Sequence, residues 1–450
     1  MTMRTLISNP IIVNGGEQFR GSIVVNNGRI AEILRGDELP RAECDEVIEA
    51  TGLYLIPGVI DTHVHFREPG LTHKATIATE SRAAAAGGVT SYMEMPNTVP
   101  QTTTIKALKE KNAIAAKESI INYSFFFGAT NSNCGNFAKL NPKRVCGIKL
   151  FMGSSTGNML VDKKAELEKI FVEAERLGLP VAVHCEESNI IAENTKRIKE
   201  EAGEDPDVKF HPVIRSAEAC YQSTKSAVEL ACKFGTKLHV THISTGKELE
   251  LLGEMRANHK NITAEVTPVH LTFCDADYTR LGTRIKCNPA IKGSDERDAL
   301  RKALADGTID TVGTDHAPHL IEDKQGGALK ATSGMPSIQF SLPAMLRFVD
   351  DGVIDMPTLV EKMCHAPARI FGVNKRGFIE KGFFADFVLL GPDSPHTIDK
   401  SCIVSKCGWS PFEGDTFKWR VEQTWVNGNR VFKSGEFNEE FRGKMLTFNR

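Results

Sequence analysis

Residues 58–65 read Gly58-Val59-Ile60-Asp61-Thr62-His63-Val64-His65, an apolar β-branched run that closes on two histidines one residue apart. Side chains alternate sides along an extended chain, so His63 and His65 face one space together. Two imidazoles on one face at a strand end form a metal-binding arrangement. Taken alone, a His-x-His pair is a weak signal, and its weight depends on the rest of the chain.

Similar punctuation returns downstream. Short apolar runs at 58–61, 90–95, 122–128, 147–151, 181–184, 237–242, 263–266 and 311–314 read as strands. Helical patterns at 75–86, 106–117, 164–177, 216–234, 246–257 and 296–305 lie between them. Eight strands mostly separated by helices over roughly 300 residues predict an α/β fold, a (β/α)8 TIM-type barrel. Its expected span is 57–374.

The two ends read differently. Strand signals at 5–13, 21–25 and 30–34 are separated by Asn14-Gly15-Gly16 and Asn26-Asn27-Gly28; those at 386–390, 419–426 and 430–432 surround Asn427-Gly428-Asn429. Such strands are marginal alone. Residues 1–56 and 375–450 are therefore expected to form one small β-sandwich domain built from both termini.

Composition narrows the class. Of 450 residues, 41% are hydrophobic and 25% charged, and 55 Lys and Arg balance 57 Asp and Glu to a net charge of −2. That is a globular composition without a basic field, so nucleic acid and anionic membrane are not expected partners. No uncharged apolar run approaches the roughly 18 residues of a membrane span, and residues 1–19 lack the apolar core of a secretory signal. The eleven cysteines are scattered, with no Cys-x-x-Cys pair, which predicts a reducing, cytoplasmic setting. A small-molecule enzyme or a neutral binding protein remains.

Polar residues gather where the predicted strands end. His184 closes the fifth, His242 the sixth, and Asp315 follows the eighth in Gly313-Thr314-Asp315-His316-Ala317-Pro318-His319. Any one of them could be a hydrogen-bonded rim residue. Four histidines and an aspartate, all on the side where barrel active sites lie, predict a metal centre. Lys149 alternates with Ile148 and Leu150 and is predicted to point into the barrel, where an unpaired ammonium is strongly disfavoured. Either it pairs with Asp315 or a substrate carboxylate, or its free amine adds carbon dioxide to become an anionic carbamate ligand. Residues 153–158 read as a mobile active-site loop, with an anion cradle as the lesser reading. Lys109-Glu110-Lys111 and 196–201 read as solvated helix faces, and Cys185 as a packing residue rather than a nucleophile.

With these residues in view, the chain resembles the dihydroorotases, in the cyclic amidohydrolase branch of the metal-dependent amidohydrolase superfamily. The resemblance rests on Asp61-Thr62-His63-Val64-His65-Phe66-Arg67-Glu68-Pro69-Gly70, Glu94-Met95-Pro96-Asn97-Thr98, Gly147-Ile148-Lys149-Leu150-Phe151 and His184-Cys185-Glu186. It continues through Thr241-His242-Ile243-Ser244-Thr245, Lys286-Cys287-Asn288-Pro289 and the 315–319 segment, in family order. It implies two zinc ions bridged by carboxylated Lys149, one held by His63, His65 and Asp315 and the other by His184 and His242. Asp162 is the alternative bridging position. The implied reaction is the reversible cyclisation of N-carbamoyl-L-aspartate to (S)-dihydroorotate plus water, a step of pyrimidine biosynthesis, by a metal-bridged hydroxide with Asp315 as general acid and base. His65, Arg67, Asn97, Asn288 and His319 are the implied substrate contacts: Arg67, Asn97 and His319 for the α-carboxylate, Asn288 for the ring or carbamoyl edge. A homodimer is the expected assembly.

Hydantoinases, dihydropyrimidinases and allantoinases share the metal residues and differ around Arg67 and His319. An inactive scaffold of this fold would have lost a metal ligand or Asp315, and none is missing. Val269-His270, where relatives often carry two histidines, and the stretch 326–336 depart from the commoner dihydroorotase pattern.

Overall fold

A computed structural model describes residues 3–153 and 159–450. Most of the expected active-site loop, 154–158, lies outside the described residues. Among the described residues, a barrel is built from Val59–Val64, Val89–Glu94, Asn122–Phe125 continued by Phe127–Gly128, Ile148–Phe151, Val181–His184, Leu238–Val240, Ile262–Val266 and Thr311–Val312. Each strand pairs in parallel with the next, the third joining the second through its first half and the fourth through its second. The ring closes where Val64 bridges His316 and the His65 amide donates to the His316 carbonyl at 2.7 Å. These strands are buried on both faces, which is why they read as nearly continuous apolar runs.

Helices cover the outside. Lys164–Arg176 buries Ile170, Phe171 and Ala174 as one stripe, and Thr76, Ser216 and Thr245 cap their helices by accepting backbone N–H bonds. The helix face expected at 196–201 belongs to the longer helix Ser188–Ala202, which buries only Ile198 and so has faint periodicity, and a long helix lies outside the expected ranges at Ile338–Asp350, apolar nearly all round and containing Pro343. The first strand also runs on through His63, and the eighth stops at Val312.

The termini meet in the second layer. Phe387–Gly391 pairs antiparallel with Tyr54–Pro57 on one side and with Arg420–Val426 on the other, and Ile11–Asn14 lies beside Tyr54–Pro57. The long strand Glu17–Asn26 links these to Arg4–Ser8 and Arg29–Arg35. Ile12, Ile23, Leu55, Phe387, Leu389 and Trp425 pack together as the core of this layer. The chain passes from this sandwich into the first barrel strand at Gly58, where a Cβ would stand 2.1 Å from Thr90 Oγ1. Parts of the C-terminal region reach the barrel itself: Trp409 Nε1 donates to the His319 carbonyl at 2.7 Å, and Arg450 donates to the carbonyls of Val145, Cys146 and Phe371. Among the described residues no helix is long and apolar enough to cross a membrane.

One expectation fails outright. Lys111 is not on a solvated face but fully buried, its Nζ 2.9 Å from Glu94 Oε2 and donating to the Met95 carbonyl at 3.1 Å. A single inward position on a charged helix face leaves no periodic trace in the sequence. Glu94 Oε1 in turn accepts the Phe66 amide at 3.0 Å, so this pair braces the turn between His65 and Arg67. Removing one member of a buried pair leaves a bare charge, at a cost of about 3–5 kcal/mol. Lys111→Met is therefore expected to lose about that much stability in urea unfolding, and the double variant Glu94→Gln/Lys111→Met to recover most of it. A single variant within about 0.5 kcal/mol of the parent protein would contradict the bracing role.

Candidate active site and metal centre

The functional side chains hang from the C-terminal ends of the strands. His63 lies within the first, Lys149 within the fourth and His184 at the end of the fifth, while His242 and Asp315 sit just beyond the sixth and eighth. His63, His65 and Asp315 converge: the two Nε2 atoms stand 3.2 and 3.0 Å from Asp315 Oδ1, and all three ligand atoms lie within 4.8 Å of one another. A second pair faces across a short gap, with His184 Nδ1 3.0 Å from His242 Nε2. The His63 and His242 rings, 5.3 Å apart, join the two halves.

Behind these atoms stand groups that fix the rings. His63 Nδ1 lies 2.9 Å from Glu265 Oε1, His65 Nδ1 2.7 Å from Asn97 Oδ1, and His184 Nε2 3.0 Å from Glu186 Oε2. Each back nitrogen thus meets an acceptor, which leaves the front nitrogen as a lone pair. Burial pushes His65 down to about 4 and lowers His184 and His242 too, so these imidazoles are neutral at pH 7, the form that binds metal. Burial pushes Asp315 the other way, but His63, His65 and Lys149 outweigh it and hold the carboxylate at about 2. Glu186, raised by burial but lowered more by Arg215 and His184, is likewise held ionised at about 2. Neutral imidazoles and ionised oxygens turned toward common points, with His242 Nδ1 buried and unbonded, are a donor set that fits divalent metal.

Lys149 is fully buried, and its Nζ donates to Thr241 Oγ1 at 3.3 Å, beside the His184–His242 pair. Burial lowers its pKa to about 8, within reach of the free amine. Among the described residues it forms no ion pair with Asp315 within 4 Å, which removes the simplest salt-bridge reading. Asp162 is exposed, accepts from Asn131 and does not join the site. The Cys185 thiol is buried and pushed up to about 12, as suits a packing residue.

Beside the centre, Arg67 is 3% exposed; its Nε donates to the Pro318 carbonyl at 2.9 Å and its Nη2 lies 3.0 Å from His319 Nε2. Asn288 offers a buried Oδ1 with no hydrogen-bond partner among the described residues. Arg67, His242 and Asp315 all take left-handed backbone angles, φ of 68°, 40° and 47°. Such strain in non-glycine residues concentrates at functional sites.

Sequence reasoning missed the supporting carboxylates. Glu265 was legible as the one charged residue of the 263–266 run, and Glu186 as the residue two beyond His184, but Arg215, which pairs with Glu186, carries no local signal. His316, inside the 315–319 motif, proves structural: Nε2 binds Glu80 at 2.8 Å and Nδ1 accepts the Ser337 amide at 3.0 Å.

Comparison with known proteins agrees with this geometry. A protein called dihydroorotase from Methanosarcina mazei is 34% identical over 440 residues, covering 94% of this chain and 93% of that protein. A protein called allantoinase from Bacillus velezensis is 30% identical over 441 residues, covering 97% and 95%. The solved L-hydantoinase (dihydropyrimidinase) of Arthrobacter aurescens superposes with a TM-score of 0.94 at 28% identity, covering 99% of this chain and all of that one. The description of the amidohydrolase family matches residues 54–431, from the last sandwich strand before the barrel to the strands that close the sandwich. With the whole barrel, the histidine–aspartate centre and most of the C-terminal sandwich strands inside that match, the chain belongs to the amidohydrolase family.

Proposed function

We propose that this protein is a dihydroorotase, interconverting N-carbamoyl-L-aspartate with (S)-dihydroorotate and water. The observation that carries the reading is Arg67. It is a buried guanidinium, still cationic at a pKa lowered by burial to about 10, and among the described residues it has no ion pair with a protein carboxylate. A buried cation with no carboxylate in direct contact is unfavourable, even with Asp315 and Glu94 nearby, and a substrate carboxylate relieves it with a bidentate, charge-assisted bond. Dihydroorotate has that carboxylate; hydantoin and dihydrouracil do not.

In this reading His63, His65 and Asp315 hold one zinc ion, and His184 and His242 a second, with carboxylated Lys149 between. Bound there, the pair would lower the pKa of water from about 15.7 toward about 7 and polarise the amide carbonyl. The protein's own work is positioning and proton transfer. Arg67, with Asn97 and His319, holds the α-carboxylate, and the buried Asn288 Oδ1 accepts an N–H of the ring or carbamoyl group. In ring opening, water adds to the ring amide carbon while the Asp315 carboxylate takes its proton. Asp315 then gives that proton to the departing ring nitrogen, which becomes the carbamoyl NH2. In ring closure Asp315 takes a proton from the attacking carbamoyl nitrogen and returns it to the oxygen that leaves as water. His65, tied to Asn97, links the substrate pocket to the metal ligands. Residues 57–374 carry this chemistry, and 1–56 with 375–450 form the composite sandwich domain. A cytoplasmic homodimer completes the proposal; among the described residues all eleven cysteines are free, in keeping with a reducing compartment.

Two variants test it. Arg67→Met is expected to lower kcat/KM for dihydroorotate about ten- to a hundredfold, the worth of a charge-assisted bond of about 1.5–3 kcal/mol. Metal content and the slow turnover of carboxylate-free dihydrouracil should barely move. A parallel fall for both substrates, or no fall for dihydroorotate, removes Arg67 as the anchor and with it the case against a hydantoinase. Lys149→Ala is expected to lose bound metal and activity together, with partial return of both on adding short carboxylic acids. An unimpaired Lys149→Ala enzyme contradicts a carbamate bridge.

A further inference from the structure

Lys324 ends the short helical turn Ile321–Lys324 and is almost fully buried, yet among the described residues no carboxylate lies within 4 Å of its ammonium. Burial pushes its pKa down to about 7, a measure of what this placement costs. An apolar side chain of similar length would avoid that cost. In place of a counter-charge the ammonium has three backbone carbonyls, one for each N–H: Lys286 at 3.0 Å, Thr332 at 2.7 Å and Gly334 at 2.9 Å. The Trp409 ring lies beside it, with its centroid 5.9 Å away.

Those carbonyls belong to two segments of the chain. One is 286–289, which carries Asn288. Its Lys286 carbonyl also accepts the Gly334 amide at 2.9 Å, and its Cys287 carbonyl accepts from His211 Nε2 at 2.8 Å, so the backbone leading into Asn288 is fixed from both sides. The other is 332–335, which lies against the segment that begins with Asp315. The Met335 carbonyl accepts the Ala317 amide at 2.8 Å. A Cβ on Gly334 would stand 2.8 Å from the Ala317 carbonyl oxygen and 3.0 Å from His319 Cδ2, and the φ of 137° there suits glycine. The chain between is pinned in the same manner. Asp205 accepts the amides of Gly327, Leu329 and Lys330 at 2.8, 3.1 and 3.0 Å, and Lys286 Nζ donates to the Ala331 carbonyl.

We propose that Lys324 is a positioning residue: by joining the Lys286, Thr332 and Gly334 carbonyls it sets the distance between Asn288 and the Asp315–His319 segment, and with it the fit of the substrate between them. The substrate rests on the dihydroorotase reading; the brace does not. Three donors on one atom explain why a charge is kept in a place where an apolar side chain would be less costly. The metal-ligand candidates hang from their own strands, so losing the brace shifts Asn288 and the 332–335 wall and leaves those ligands in place.

Lys324→Met keeps the side-chain length and removes all three donors, whereas Lys324→Gln keeps two N–H groups and removes the charge. The metal-loaded parent protein and both variants are compared by steady-state kinetics with dihydroorotate, by metal content and by residue-resolved amide hydrogen exchange. Lys324→Met should raise KM on the order of tenfold, with kcat changed less than about threefold and metal content unchanged, and Lys324→Gln should fall between it and the parent. Exchange should quicken at the Gly334 amide, while the His63 and Thr314 amides keep the parent rate. Unchanged KM in both variants, or a joint loss of metal and kcat, overturns the proposal. If Lys324→Met does not fold, Lys324→Gln decides alone by the same measures. Failure of the parent protein to hydrolyse dihydroorotate would overturn the dihydroorotase reading instead, and exchange at Gly334 would then decide whether Lys324 holds the two segments together.

Discussion

The seam between the first and eighth barrel strands supports the rest of the molecule. Asp61, buried beneath the candidate metal centre, accepts the Thr314 amide at 3.1 Å, the Thr314 hydroxyl at 2.6 Å and the His63 amide at 3.1 Å. One carboxylate thus ties the strand that carries His63 to the segment that carries Asp315. Beside it Val64 bridges His316, and the ring of strands closes. Ligands far apart in sequence reach 3 Å separations because closure of the barrel leaves their strand ends one arrangement. Burial pushes Asp61 up to about 7, offset in part by the Thr314 bonds, so the seam is also where polar burial is most expensive.

The site extends this logic outward. Each ligand imidazole is paired at its back nitrogen or packed against another ring, and the supporting oxygens come from different strands: Glu265 from the seventh, Asn97 after the second, Glu186 after the fifth. Orientation fixed before a ligand arrives spares the reaction the cost of ordering it. The left-handed backbones at Arg67, His242 and Asp315 belong to the same design, since strain of about 1–3 kcal/mol each persists only where surrounding structure imposes it. Glu94, paired with Lys111, holds the Phe66 amide one residue before Arg67.

Much of this was legible in the sequence because strands have a period of two and barrel chemistry sits at strand ends. His63, His65, His184, His242 and Asp315 followed from that rule, and Lys149 from its alternation with Ile148 and Leu150. The barrel and sandwich were legible too, since parallel buried strands leave apolar runs and hairpins leave Asn-Gly turns. Residues acting from across the barrel were not. Nothing near Arg215 announces Glu186, and Lys111 looks like its exposed neighbours until Glu94 stands opposite. Asn97 was assigned to substrate alone, while its Oδ1 is also the acceptor that turns His65, a contact between sequence-distant loops that no local pattern encodes.

The central claim is that a histidine–aspartate metal centre beside a buried arginine makes this member of the amidohydrolase family act on dihydroorotate. The most direct measurement is hydrolysis of dihydroorotate, hydantoin and allantoin by the purified protein, with metal content determined before chelation, after it, and after zinc is restored. The account predicts highest kcat/KM on dihydroorotate, activity that disappears with the metal, and recovery near two zinc ions per chain. Full activity in metal-free protein, or a preference for hydantoin or allantoin, would contradict it.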